Sequence, residues 1–185
     1  MMTMNIPSGL EDHNLEIYRF KNTARAIYDG KTMNYLDLPE SIREVFQAEL
    51  ISDRKACNCL RSKMCITDAE QMEVTFVSCR YGALNHIADL KGKKTASDMP
   101  VCDETETCPG YDIVCKAPEG PGGSLAKREF QIAVLIASGK LDKEISDELG
   151  IKMPTTRTHI NRIREKLGVN NRIEIALWMH KQGTL

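Results

Sequence analysis

The sequence predicts two domains of different class. The first is an α+β N-terminal domain whose fold the pattern does not assign, and the second is an all-α C-terminal domain of four short helices. Three observations carry this. Up to residue 116, stretches of alternating apolar and polar residues are broken by turn dipeptides. From residue 125 on, apolar residues recur every three or four positions. Between them lies Ala117-Pro118-Glu119-Gly120-Pro121-Gly122-Gly123-Ser124. A period of two signals a strand and a period of 3.6 a helix. Three Gly and two Pro within eight residues read as a linker. The expected boundaries are 1–116, 117–124 and 125–185.

Composition narrows the class further. With 42% hydrophobic and 28% charged residues among 185, the chain is neither a disordered nor a collagen-like sequence. No run of about 18 apolar residues could form a membrane span. The start, Met1 to Pro7, lacks the basic and apolar segments of a secretory signal, so the cytoplasm is the expected compartment. Residues 1–124 carry 14 basic and 19 acidic side chains, and residues 125–185 carry 11 and 7. A basic piece joined to an acidic one is suited to a polyanion touched by the first alone.

In the N-terminal domain, Leu15 to Phe20 alternates like a half-buried strand. Ala26-Ile27-Tyr28 and Thr32 to Tyr35 flank Asp29-Gly30, a pair that tolerates the positive φ of a tight hairpin turn. A helix should then start with Asp37 as its cap, and Ile42, Val45, Phe46 and Leu50 form its apolar stripe. Met72 to Cys79 fits a strand or a short helix.

The C-terminal pattern is cleaner. Ile132, Leu135 and Ile136 mark a first helix over 127–138, closed by Gly139. Asp142 is the expected cap of a second, 143–149, with Ile145 and Leu149 inward, Gly150 as its stop and Ile151 filling the turn. Pro154 should block continuation and Thr155 cap a third helix, on which Thr156, Ile160, Ile163 and Leu167 share one face. A fourth begins near Arg172, with Ile173, Ala176 and Leu177 inward. Two short helices joined by a Gly-containing turn and braced on both sides make a helix-turn-helix. Its second helix can enter a DNA major groove about 12 Å wide. Opposite the apolar face, Arg157 can pair with guanine, Asn161 with adenine, and Thr158 can offer a methyl or a hydroxyl. Lys143, Thr155 and Lys166 are the candidates for phosphate contacts. The plainer reading is a helical packing module with a solvated basic face.

The particular residues go beyond periodicity. Leu125-Ala126-Lys127-Arg128-Glu129, Gly139, Lys143-Glu144-Ile145, Thr155 to Ile163, Lys166 to Val169 and Asn171 to Glu174 resemble the LuxR-type (GerE-like) DNA-binding domain. The resemblance covers about 55 residues and implies that the third helix reads bases at Arg157, Thr158 and Asn161. It also implies a homodimer with the fourth helix at the contact. Glu129 and Arg172 match patterned positions and are expected in ion pairs within the domain, and His159 is expected to be half-buried and hydrogen-bonded. Thr156 stands where the family usually has Val. Upstream, neither the Val/Ile-rich strands of a phosphorylation receiver nor the aromatic residues of an acyl-homoserine-lactone pocket are present; the sole Trp is Trp178.

All seven cysteines precede residue 117. An odd number in a reducing compartment argues against a disulfide framework. One candidate metal set is Cys57, Cys59, Cys65 and Cys79, and a second is Cys102, Cys108 and Cys115 with His86. Zinc, or less readily an iron–sulfur cluster, would suit such ligands. Neither set has the C-x2-C spacing of common zinc modules, and buried thiols or a redox switch remain open. Lys91-Gly92-Lys93-Lys94 reads as a solvated basic loop.

No nucleophile–base pair or phosphate-binding Gly loop points to an enzyme. The function expected is a sequence-specific transcription regulator on double-stranded DNA. The alternatives are a metal or thiol sensor and an adaptor that recruits RNA polymerase, with the C-terminal helices serving assembly.

Overall fold

In a computed structural model, residues 6–21, 23–98, 101–102 and 104–182 are described. Met1–Asn5, most of the segment expected not to be a signal, lies outside them. The chain divides into two units, one of residues 1–100 and 109–116, the other of residues 101–108 and 117–185.

The hairpin expected at Asp29-Gly30 forms. Strand β1 (Leu15–Phe20) pairs antiparallel with β2 (Thr23–Tyr28), and β2 with β3 (Lys31–Asn34). Asp29 and Gly30 take φ of 51° and 73°, the left-handed conformation a two-residue turn demands. Two-residue strands β4 (Leu90–Lys91) and β5 (Lys94–Thr95) extend the sheet to the order β3-β2-β1-β4-β5. The alternation expected in β1 breaks at Glu16, which is buried along with Leu15 and Ile17.

Of three helices, α1 (Glu40–Ser52), α2 (Arg54–Ser62) and α3 (Ala69–Arg80), the third packs on β1 and β2, and the other two pack against it and each other. Asp37 does not cap α1. It closes a 3-10 turn over Tyr35–Asp37, and Pro39 occupies the cap position. Pro39 lacks an N–H and favours the extended backbone that precedes a helix, so the start shifts past it. Met72 to Cys79 is helical, within α3. α2 had no sequence expectation; its buried stripe, Ala56, Cys59 and Leu60 at i, i+3 and i+4, is short and set among charged residues. Asp53 starts the helix by accepting from the Ala56 N–H at 3.0 Å. Tyr35, Phe46 and Tyr81 stack edge-to-face at the centre, with ring centroids 6.1 and 5.0 Å apart. Buried Arg80 ties in residues 109–116, donating to the carbonyls of Val114 at 2.9 Å and Ile113 at 3.1 Å and pairing with Glu49 and Asp53.

The second unit holds four helices: α4 (Lys127–Ala137), α5 (Asp142–Glu148), α6 (Met153–Leu167) and α7 (Arg172–Lys181). Their number and order match the sequence pattern; three details differ. Leu141, not Asp142, is the N-cap of α5, because the Glu144 carboxylate reaches back to accept from its N–H at 2.6 Å. α6 starts at Met153 with Lys152 as cap, and Pro154 sits in the first turn instead of preceding the helix. A proline costs nothing there, since the first N–H groups have no helical partner. On α7, Ile175 and Met179 are buried, whereas Ile173 and Leu177 are 71% and 54% exposed.

Residues 117–124, expected as a linker, are built into this second unit. Strands β6 (Glu119–Gly120) and β7 (Gly123–Ser124) form a hairpin on the last turn of α6. The Gly122 N–H donates to the Lys166 carbonyl at 2.8 Å, satisfying one of the acceptors that end a helix unpaired. A Cβ on Gly120 or Gly122 would stand 2.4 Å from the carbonyl oxygen of Lys166 or Glu165, so only glycine permits this approach. Lys127 Nζ donates to the carbonyls of Glu106 and Cys108, which accounts for 101–108 joining this unit.

Candidate nucleic-acid interface

α6 is the element around which the interface is built. Its inner face, Thr156, Ile160, Ile163 and Leu167, is buried as the spacing predicts. Thr156 is fully buried and meets Ser146 of α5, their hydroxyl oxygens 2.8 Å apart, while Ser146 also donates to the Asp142 carbonyl at 2.7 Å. The hydroxyl is therefore satisfied and joins the two helices of the motif. The turn between them closes through the Ile151 N–H on the Ser146 carbonyl at 2.9 Å, with Gly150 at φ 62°.

On the outer face, Arg157, Thr158 and Asn161 are exposed together at i, i+1 and i+4. The Thr158 hydroxyl donates to the Pro154 carbonyl at 3.0 Å, which spends its proton and leaves its oxygen as an acceptor. Asn161 Oδ1 accepts a long bond of 3.5 Å from Arg164, and its amide N–H groups have no hydrogen-bond partner among the described residues. Lys143 on the first turn of α5 and Thr155 on the first turn of α6 are both exposed. Lys152 and Arg162, exposed beside them, were not singled out by sequence; their signal was the same basic excess, without a motif position to mark it. Among the described residues, Lys143, Lys152, Arg157 and Arg162 have no ion-pair partner.

Lys166 is placed differently. Its ammonium donates to Glu129 Oε2 at 2.7 Å and to the Ser124 carbonyl at 3.0 Å, both within the domain. Glu129, buried, also accepts from the Ala126 N–H at 2.8 Å. Burial alone would raise the Glu129 carboxyl, but the Lys166 ammonium and that N–H outweigh it and hold it below its ordinary value. Arg172 pairs with Asp142 at 2.5 Å, so both residues expected in internal ion pairs form them, with different partners. His159 is half-buried as expected, but its Nδ1 has no hydrogen-bond partner among the described residues.

The cysteines do not converge. Among the described residues, no three His, Cys, Asp or Glu side chains are placed to share a metal ion, so neither Cys57, Cys59, Cys65 and Cys79 nor Cys102, Cys108, Cys115 and His86 forms a ligand set. Side chains two apart on a helix point away from each other. Accordingly the Cys57 thiol donates to the Leu50 carbonyl and the Cys59 thiol to that of Pro109, while Cys65 is exposed and Cys79 accepts from Arg19. All seven are free thiols.

Residues 123–179 match the family model described as bacterial regulatory proteins, luxR family. The spore germination protein GerE of Bacillus subtilis is 38% identical over 61 residues, which is 33% of this chain and 82% of GerE. The chain belongs to the LuxR family. Among larger relatives, the transcriptional regulatory protein LiaR of Bacillus subtilis is 48% identical over 61 residues, covering 33% of this chain and 29% of LiaR. The transcriptional regulatory protein UhpA of Escherichia coli is 43% identical over 65 residues, 35% of this chain and 33% of UhpA. The match therefore spans about a third of the length of those relatives. No solved structure matches the chain. Within the described residues, no helix is long and apolar enough to cross a membrane.

Proposed function

We propose that the chain is a transcription regulator that binds double-stranded DNA, laying the exposed face of α6 into the major groove. The observation that carries this is the division of α6: one side locked into the domain down to its buried hydroxyl, the other presenting Arg157, Thr158 and Asn161 at i, i+1 and i+4. Arg157 selects guanine through O6 and N7, and Asn161 selects adenine through N6 and N7. Lys143, Thr155, Lys152 and Arg162 fix the register on phosphates. Lys166 serves inside the domain by holding the end of α6. The mechanism is non-covalent and its setting is the cytoplasm. The exposed Ile173 and Leu177, one turn apart on α7, form the contact of a homodimer.

Selection of bound duplexes from a randomised pool by the full chain tests this. The expected result is an enriched motif. Arg157→Ala should then lose about 1–3 kcal/mol on that motif and relax one base pair. Lys143→Ala should weaken all duplexes alike and reduce the salt slope by about 1. Ile173→Asp should abolish self-association in sedimentation while leaving the fold intact. A chain that enriches no motif would favour the adaptor reading, with RNA polymerase as partner.

A further inference from the structure

A cleft in the N-terminal unit, between α1, α2 and α3, encloses about 460 Å3. Small-molecule sites fall between about 300 and 1,000 Å3. Its walls are mostly apolar. Leu50 and Met72, both buried, line it, and Ile51 borders it with 74% of its surface exposed. Among the described residues, Ile51 is the one large hydrophobic side chain left exposed on these three helices. A protein partner needs a contiguous apolar patch of a few hundred Å2 or more, which a single isoleucine does not supply. The opening is sized for a small molecule.

The charges lining the cleft are not equivalent. Arg43 grips Glu73 with two bonds, from Nε at 2.9 Å and Nη2 at 2.8 Å, and Gln47 adds a third at 2.9 Å. Both oxygens of Glu73 are thus occupied. Burial pushes its carboxyl up, but Arg43 and Gln47 pull it below its ordinary value, so the pair is charged and mutually neutralised. Glu70 is near enough to Arg43 to add to that cation's stabilisation. Arg61, on the last turn of α2, is exposed and has neither a hydrogen bond nor an ion pair among the described residues. Glu70, also exposed and without a hydrogen bond or ion pair among the described residues, acts on Arg43. Arg61 is therefore the guanidinium left for the anionic end of a molecule with an apolar body. A planar carboxylate fits that fork with two parallel hydrogen bonds.

We infer that this cleft is a binding site for a small amphipathic carboxylic acid, whose apolar chain lies over Leu50, Ile51 and Met72 and whose carboxylate pairs with Arg61. The inference is independent of how the C-terminal domain acts. The half-buried Cys57 lines the same cleft and serves as a reporter, since a bound ligand covers its thiol.

The test is calorimetric titration of the full chain with octanoate, butanoate and octylammonium, combined with iodoacetamide labelling read cysteine by cysteine. Octanoate should bind saturably and more tightly than butanoate, by about fourfold per methylene buried. Octylammonium should bind at least tenfold more weakly, and Arg61→Gln should weaken octanoate by a similar factor while Arg54→Gln, on the same helix, leaves it unchanged. Octanoate should slow alkylation of Cys57 without slowing that of exposed Cys65. The proposal is overturned if octanoate fails to saturate, if the amine binds as well as the acid, if Arg61→Gln has no effect, or if both thiols are protected alike. Arg61 is a surface residue, so its variant folds, and the thiol readout stands without any measure of activity.

Discussion

Two buried glutamates, one taken from each unit, show how differently the same side chain can be held. Glu129 is 4% exposed and Glu16 is 0%. Glu129 faces the Lys166 ammonium and a backbone N–H and titrates below its ordinary value. Glu16 accepts from the Asn85 N–H at 2.5 Å, but its second oxygen has no partner among the described residues, and neither does one oxygen of the fully buried Asp89. Burial pushes Glu16 up to about 8, against the pull of the Asn85 N–H, and Asp98 adds repulsion. Asp98 itself is pushed to about 8 by burial, and Asp89 is raised by burial and by the charges of Asp98 and Glu16. The same residue type at the same depth is a charged strut at Glu129, and at Glu73 with Arg43 in the first unit, but a proton-holding group at Glu16. Burial alone does not decide ionisation; the partner does.

The largest effect should come from removing the strut. Glu129→Ala strands the Lys166 ammonium and the Ala126 N–H, and should cost roughly 3 kcal/mol in urea denaturation. A cost below 1 kcal/mol would make the ion pair ornamental and dissolve the contrast. Gly122→Ala attacks the same corner from the other side. Its Cβ meets the Glu165 carbonyl at 2.4 Å, and the strain should cost about 2 kcal/mol. A neutral result would show that the hairpin can lift from α6.

In the other unit the sign reverses. The folded state keeps protons on Glu16, Asp89 and Asp98 that the unfolded chain releases near pH 4–4.5, so stability should fall as pH rises from there to about 8. Glu16→Gln removes one of these protons from the balance. Unfolding at pH 5, 6.5 and 8 should show a shallower decline and a variant about 1–2 kcal/mol more stable than the parent at pH 8. A decline as steep as the parent's would mean that Glu16 is charged in the fold. The smallest effect belongs to Thr156→Val, which replaces the buried hydroxyl with a methyl. Ser146 keeps its bond to the Asp142 carbonyl, so thermal unfolding should register less than about 1 kcal/mol.

What could be read from the sequence follows the same division. The stripe Thr156, Ile160, Ile163 and Leu167 repeats with the helical period and was legible, as were the outward Arg157, Thr158 and Asn161 that it implies. On α7 the reading slipped by two residues. Ile173, Ile175, Leu177 and Met179 are all apolar, and period alone cannot tell which pair faces inward. The cap positions at Asp37, Asp142 and Thr155 each missed by one to three residues, because a good capping side chain marks a neighbourhood and the backbone settles the residue. The partners of Lys166 within the domain, Glu129 and Ser124, were not legible because they are 37 and 42 residues away in sequence. Cys57 and Cys59 invited a metal through closeness in sequence, which a helix turns into opposite directions. Glu16 was invisible: nothing local marks a glutamate whose neighbours, Asn85, Asp89 and Asp98, arrive from some 70 or more positions downstream.

The hairpin over 119–124 bears on how the C-terminal part should be cut out for study. A fragment beginning at Leu125, where the periodic pattern starts, would leave the Lys166 carbonyl without the Gly122 N–H and its ammonium without the Ser124 carbonyl. The exposed end of α6 would then fray, and weak DNA affinity in such a fragment would report the excision and not the parent. A start at or before Ala117 keeps both bonds, and one at Val101 also retains the carbonyls that hold Lys127.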